Sequence, residues 1–138
     1  YDPNIHQVNI DAEQFRRVFI NLFENAMDAL NGEGRIEIAT QLDPAKQKIR
    51  IEFSDDGVGI SQGDRGKLFL PHFTTKKRGT GLGLAIVNRI VVDHNGTITV
   101  RENQPNGTTF DIELPHSPVT LPTDTSSRTR FQKTSSPF

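Results

Sequence analysis

Hydrophobic and polar positions alternate along the chain with two periods, and the switches between them mark the elements. Phe15, Val18, Phe19, Leu22, Ala26, Ala29 and Leu30 recur at helical spacing and form one apolar stripe. Asp11-Ala12-Glu13-Gln14 stands ahead of that stripe in capping-box form, so the helix begins at Asp11. Asn31-Gly32 ends it, because glycine accepts the left-handed cap conformation. The preceding stretch, Tyr1 to Ile10, is short and polar and reads as the end of a strand or a connection.

The period then changes to two. Ile36 and Ile38, and after them Ile49, Ile51 and Phe53, alternate with polar residues, and Asp43-Pro44 lies between the sets as a turn. This predicts an antiparallel hairpin with one buried face. Residues 55–81 are rich in Gly, Lys and Thr, with one apolar patch at Leu68 to Leu70, and read as a long loop of the functional or mobile kind. A second helix is predicted from about Leu82 to His94, with Leu84, Val87 and Val91 on one stripe, Ile86 and Ile90 beside it, and Asn95-Gly96 as its cap. A second hairpin follows: Ile98 and Val100, a turn at Gln104 to Gly107, then Phe110, Ile112 and Leu114. Four one-sided strands and two amphipathic helices can bury their apolar faces only against each other. The predicted fold class is therefore α+β, a two-layer sandwich with helices on one face of a sheet.

Composition adds a boundary and several exclusions. The 138 residues suit one domain, and their apolar fraction of 33% is low. Part of that deficit sits beyond His116, where Ser, Thr and Pro dominate and no apolar period survives. The expected organisation is a folded domain over 1–115 and a disordered tail over 116–138. A net charge of −1 gives no reason to expect nucleic acid or an anionic membrane as partner. The absence of cysteine removes disulfides, zinc–thiolate sites and thiol catalysis, and fits a reducing cytoplasm. No apolar run reaches the roughly 18–20 residues of a membrane span, and no signal peptide is visible; a soluble fragment of a membrane protein would look the same.

Three segments could carry chemistry. Asn21 and Asn25 share one helix face at the edge of the apolar stripe, where their amide oxygens could join a Mg²⁺ shell; two interfacial amides are the plainer alternative. Asp55-Asp56-Gly57-Val58-Gly59-Ile60 follows directly on a strand. Its acid could accept from an exocyclic amine, and its glycines could admit a flat ring; an Asp-Gly turn is the alternative. Gly79-Thr80-Gly81-Leu82-Gly83-Leu84 opens the second helix, whose N-terminus suits phosphate. It matches neither the dinucleotide fingerprint nor the P-loop, and a flexible glycine-rich loop is the alternative. Lys76, Lys77 and Arg78 could neutralise phosphates or be a solvated basic loop. Phe69 and Phe73 could anchor a lid or be satellite contacts. The four histidines show no ligand spacing.

Taken in order, these segments resemble a known family. Residues 21–30 (Asn-Leu-Phe-Glu-Asn-Ala-Met-Asp-Ala-Leu) resemble the N box of the histidine-kinase branch of the gyrase, heat-shock chaperone, histidine kinase and MutL superfamily. Residues 55–60 resemble its first glycine box, 68–73 (Leu-Phe-Leu-Pro-His-Phe) its F box, and 79–84 its second glycine box. Gly107-Thr108-Thr109-Phe110 and Leu114-Pro115 also match, so the resemblance covers about residues 8–115. Phe73-Thr74-Thr75-Lys76 looks most like nitrogen-regulation kinases of the NtrB and NtrY type.

The resemblance implies the Bergerat ATP-binding fold, with a mixed, mostly antiparallel sheet whose first strand would precede Tyr1. It implies ATP and Mg²⁺ as cofactors. Asn25 would hold the metal with Asn21 beside it, and Asp55 would take the adenine amine. Gly57 and Gly59 would shape the base pocket, Thr108 or Thr109 would lie near the base, and Ile60 and Phe69 would also bind the nucleotide. Gly79, Thr80, Gly81, Leu82, Gly83 and Leu84 would contact the phosphates, and residues 61–81 would form a lid. The implied function is phosphoryl transfer to a histidine on a separate helical dimerisation domain, in a bacterial two-component protein that is cytoplasmic or the cytoplasmic portion of an inner-membrane sensor. Its partners would be that domain and, through it, a response-regulator receiver, with the parent a homodimer and no direct membrane contact by this domain.

Two departures matter. Superfamily ATPases place a glutamate where Asn21 stands, so hydrolysis should be slow; Glu24 could still orient or deprotonate the acceptor. Asp28 stands where a lysine is frequent, so Lys76 or Lys77 must meet the phosphate charge. The rival readings are a nucleotide-binding interaction module without kinase activity and a true superfamily ATPase.

Overall fold

The computed structural model describes residues 1–74 and 80–117. Helix α1 (Ala12–Leu30) begins as its capping box requires: Asp11 is extended, and its carboxylate accepts from the Gln14 N–H at 3.2 Å. Asn31 closes the helix in the left-handed region, at φ 51°. Strands β1 (Ile36–Asp43) and β2 (Lys48–Asp55) form the first hairpin, and β3 (Thr97–Glu102) and β4 (Thr108–Pro115) the second. Helix α3 (Gly83–Asp93) joins them. Its end is closed by the Gly96 N–H donating to the Val91 carbonyl at 2.9 Å, after Asn95 at φ 59°.

The sheet order is β1-β2-β4-β3, and every pairing is antiparallel. Among the described residues no parallel pair occurs. The two hairpins meet through β2 and β4, which leaves β2 interior and its end enclosed on both sides. Ile49, Ile51 and Phe53 of β2 and Phe110, Ile112 and Leu114 of β4 face the helices. They bury Phe15, Val18, Leu22 and Ala26 of α1 and Val87, Ile90 and Val91 of α3 in one core. α1 packs on both α3 and β2.

One local finding differs from the sequence expectation. Gln62–Arg65 forms a one-turn helix, α2, inside the stretch read as loop. Ser61 starts it by accepting from the Asp64 N–H at 3.3 Å; four residues are too few to show a period. Of the two readings of Tyr1–Ile10, the connection holds. It is tied to the free edge of β1, where the Asp2 N–H donates to Thr40 Oγ1 and the Leu42 N–H donates to Asp2 Oδ2, at 3.0 and 2.7 Å.

The helix-free face of the sheet carries charges instead of apolar residues. Arg50 and Arg101 both bond the Asp111 carboxylate, each at 2.8 Å, and both also reach Glu52, so four side chains close a ring across three strands. Lys48 pairs with Glu113 beside it at 3.2 Å. The chain leaves β4 with the His116 N–H donating to the Gln47 carbonyl. The tail expected from 116 lies, from residue 118 onward, outside the described residues. Among the described residues no helix is long and apolar enough to cross a membrane.

Leu22 is fully buried between the two layers. Leu22→Ala should therefore lower stability by about 2–5 kcal/mol, read by urea unfolding. A loss below about 1 kcal/mol would contradict this packing.

Candidate functional site

β2 ends at Asp55, which the ladders pair with Ile36 on one side and Thr108 on the other. Its side chain is only 4% exposed. Oδ1 accepts from the Gly57 N–H at 2.9 Å, and the Thr108 N–H also donates to the carboxyl group. Burial pushes the Asp55 pKa above the ordinary carboxylate value; these two N–H groups act against that rise, and the nearby Asp56 charge adds to it.

The glycines around Asp55 are set by close approach. A Cβ on Gly57 would stand 2.5 Å from the Ala29 carbonyl oxygen of α1, the carbonyl that also accepts from the Val58 N–H at 3.1 Å. The end of β2 is thereby locked to the last turn of α1. Gly59 adopts φ 77°, and Ile60 packs half-buried against the core. Asp56 is exposed and turned away: its carboxylate accepts from the Arg35 N–H at 2.6 Å.

Asn21 and Asn25 lie half-buried at the rim of the α1 stripe. The Asn21 amide donates to the Arg17 carbonyl at 2.9 Å. Its Oδ1 faces α3 so closely that a Cβ on Gly83 would lie 2.8 Å from it. Asn21 therefore sits in the crossing of the two long helices, and Gly83 permits that crossing. Asn25 lies one turn nearer the Asp55 end. Glu24 is exposed, beside Asp28, in a groove of about 500 Å³ lined also by Ile20, Phe23 and Met27.

At the start of α3, Leu82 takes the cap position with no side-chain cap bond. Gly81, at φ 71°, lies against His72, whose N–H donates to the Gly81 carbonyl at 2.9 Å, so residues 72 and 81 are fastened together. Thr80 is exposed, and its Oγ1 accepts from the Leu82 N–H at 3.4 Å. Leu84 packs half-buried on the core. Phe69 does likewise and meets Phe110 edge-to-face, with centroids 6.4 Å apart. Lys76, Lys77 and Gly79 lie outside the described residues.

The structure brings Asp55, Gly57, Gly59 and Thr108 together, and brings Asn21 against Gly83. It adds two residues that pattern reading missed, Asn103 and Asn106 of the β3–β4 turn, whose amides bond the backbone at 55–57. The only signal for them was an Asn-rich turn. The assembled groups suit a flat ring bearing an amine and an anionic tail. No cluster of three or more His, Asp or Glu side chains able to hold a metal occurs among the described residues. The donors offered near the helix crossing are amide oxygens, which fit a hard cation only if the ligand supplies most of its shell.

The model of the histidine kinase-, DNA gyrase B-, and HSP90-like ATPase family matches residues 10–118. The sensory histidine kinase/phosphatase NtrB of Rhodobacter capsulatus is 38% identical over 132 residues, covering 88% of this chain and 37% of that protein. The catalytic domain of histidine kinase ThkA superposes with a TM-score of 0.68 at 38% identity, over 77% of this chain and 68% of that one. Full-length ShkA, solved in complex with AMPPNP, superposes with a TM-score of 0.64 at 25% identity, over 74% of this chain and 21% of that one. The chain spans between 15% and 37% of the curated relatives' own lengths.

A carboxyl group whose pKa is raised by folding stabilises the native state fully below its unfolded pKa, and that contribution is lost as pH rises through the native value. Asp55→Asn keeps an acceptor for the Gly57 N–H without the buried charge. The ligand-free variant should thus be at least as stable as the parent at about pH 7, and less so relative to it at about pH 4, by urea unfolding. A clear loss of stability near neutrality would contradict the burial argument.

Proposed function

The chain belongs to the histidine kinase-, DNA gyrase B- and HSP90-like ATPase family, and on that premise we propose that it is the ATP-binding catalytic domain of a sensor histidine kinase. The observation that carries this reading is the buried acid at the end of β2, walled by Gly57 and Gly59 and fastened to the helix that bears Asn21 and Asn25. In this reading the Asp55 carboxylate accepts from the adenine amine, and the Gly57 and Gly59 backbones border the ring with Ile60 and Thr108. The uncapped N–H groups at the start of α3 face the phosphates, with Thr80, Gly81, Leu82, Gly83 and Leu84 around them. Lys76, Lys77 and Gly79 complete the phosphate contacts, and Phe69 anchors the lid. Residues 1–115 form the nucleotide-binding unit, with 116–138 appended.

Mg²⁺ brought with the nucleotide would neutralise phosphate charge, and the Asn25 amide oxygen would hold it. Such transfer depends mainly on positioning and charge neutralisation. Asn21 is an amide already donating to the Arg17 carbonyl and cannot take a proton from water, which supports transfer over hydrolysis. Glu24, on the exposed side of α1, is open to an arriving acceptor, a histidine of a helical dimerisation domain in the same protein. The phosphoryl group passes from there to a response-regulator receiver. The parent is a homodimer, and this domain works in the cytoplasm without touching the membrane.

Asp55→Asn should weaken ADP binding by about 10- to 100-fold in calorimetry, the loss expected for a hydrogen bond to a charged group. Unchanged affinity would remove the adenine role. Asn25→Ala should weaken ATP binding more with Mg²⁺ than in EDTA, and equal losses would exclude Asn25 as a ligand. The isolated chain should bind ATP without labelling itself from γ-³²P-ATP, and should label a histidine on an added family dimerisation domain. Nucleotide binding with no such transfer would leave an interaction module instead.

A further inference from the structure

The β3–β4 turn, residues 103–107, makes contacts that its own hairpin does not need. The turn is already closed by the Asn103 N–H donating to the Gly107 carbonyl at 3.1 Å. Its two asparagine amides instead reach across to β2. Asn103 Nδ2 donates to the Asp55 carbonyl at 2.9 Å. Asn106 Nδ2 donates to the Asp56 carbonyl at 2.6 Å and to the Gly57 carbonyl at 3.2 Å. Three consecutive carbonyls, where the chain leaves the sheet and loses its ladder partners, are thus taken up by two side chains from about fifty residues away.

The same turn touches Asp55 in two further ways. Thr108, the next residue, donates its N–H to the carboxyl group. Gly107, at φ 106°, lies so close to the Asp55 carbonyl that a Cβ would collide with it, and the Gly107 carbonyl in turn borders Gly59. Fixing the carbonyls of 55, 56 and 57 fixes the peptide planes between them. One of those planes orients the Gly57 N–H, which is the donor that holds Asp55 Oδ1. A strand end with free carbonyls would let these planes rotate, and the carboxylate would then lose its fixed direction.

We propose that Asn103 and Asn106 are positioning residues for nucleotide recognition: they hold the 55–57 backbone so that the Asp55 carboxylate is preset toward the base. This rests on the reading of Asp55 as the adenine acceptor. Neither asparagine touches the ligand; both act through Asp55 and Gly57.

The test is a double-mutant cycle on ADP affinity, followed by NMR titration, with Asn106→Asp in the parent and in the Asp55→Asn background. That substitution replaces the donating amide with a carboxylate set against two carbonyls. Asn106→Ser serves if that variant does not fold, as judged by thermal melting. In the parent background, loss of the clamp should weaken ADP binding about tenfold or more, while in Asp55→Asn the further loss should stay under about twofold. The Gly57 amide proton of the ligand-free chain should exchange faster in both Asn106 variants. Equal losses in the two backgrounds would reduce Asn106 to a structural residue, and an unchanged affinity in the parent would overturn the proposal outright. Absence of ADP binding by the unaltered chain would remove both this proposal and the reading beneath it, whereas normal binding with an unresponsive Asn106 removes only this one.

Discussion

Asp55 holds a carboxyl group where water scarcely reaches it, and most of the surrounding arrangement exists to make that tolerable. A buried carboxylate is stable only if backbone donors replace its hydration. Here they come from Gly57 just after it and Thr108 across the ladder. The Gly57 donor is local to the turn, whereas the Thr108 donor depends on β4 pairing beside β2. The sheet order, with the second hairpin closing through β4, thus prepares the site before any ligand arrives.

The rest of the site is coupled to that acid by close approaches at glycines. Gly57 lies on the Ala29 carbonyl and ties the strand end to α1. Gly83 lies on Asn21 and ties α1 to α3. Gly81 lies on His72 and ties the start of α3 to the chain at residue 72. A side chain at Gly57 or Gly81 would push backbones apart, and one at Gly83 would displace the Asn21 amide. This is a packing reason for the glycine-rich boxes.

Much of this was legible in the sequence. α1 was readable in full, because Asp11, the Phe15-to-Leu30 stripe and Asn31 each carry a local signal. The four strands were readable from alternation, and Asp55 from its place directly after one of them. The clamp from Asn103 and Asn106 was not, since amides bonding distant carbonyls leave no periodic trace. α2 escaped for want of length. The half-buried rim position of Asn21 followed from helical geometry, but its meeting with Gly83 required knowing how α1 and α3 cross.

The ring of Arg50, Glu52, Arg101 and Asp111 has a bearing on how this molecule meets others. Its charges cancel within the sheet face, and Lys48 with Glu113 repeats the cancellation beside it. A body approaching from that side finds neither a long-range field to steer it nor an oily patch to settle on. The large apolar side chains that stand in the open, Ile20, Phe23 and Met27, lie on the opposite, helical side.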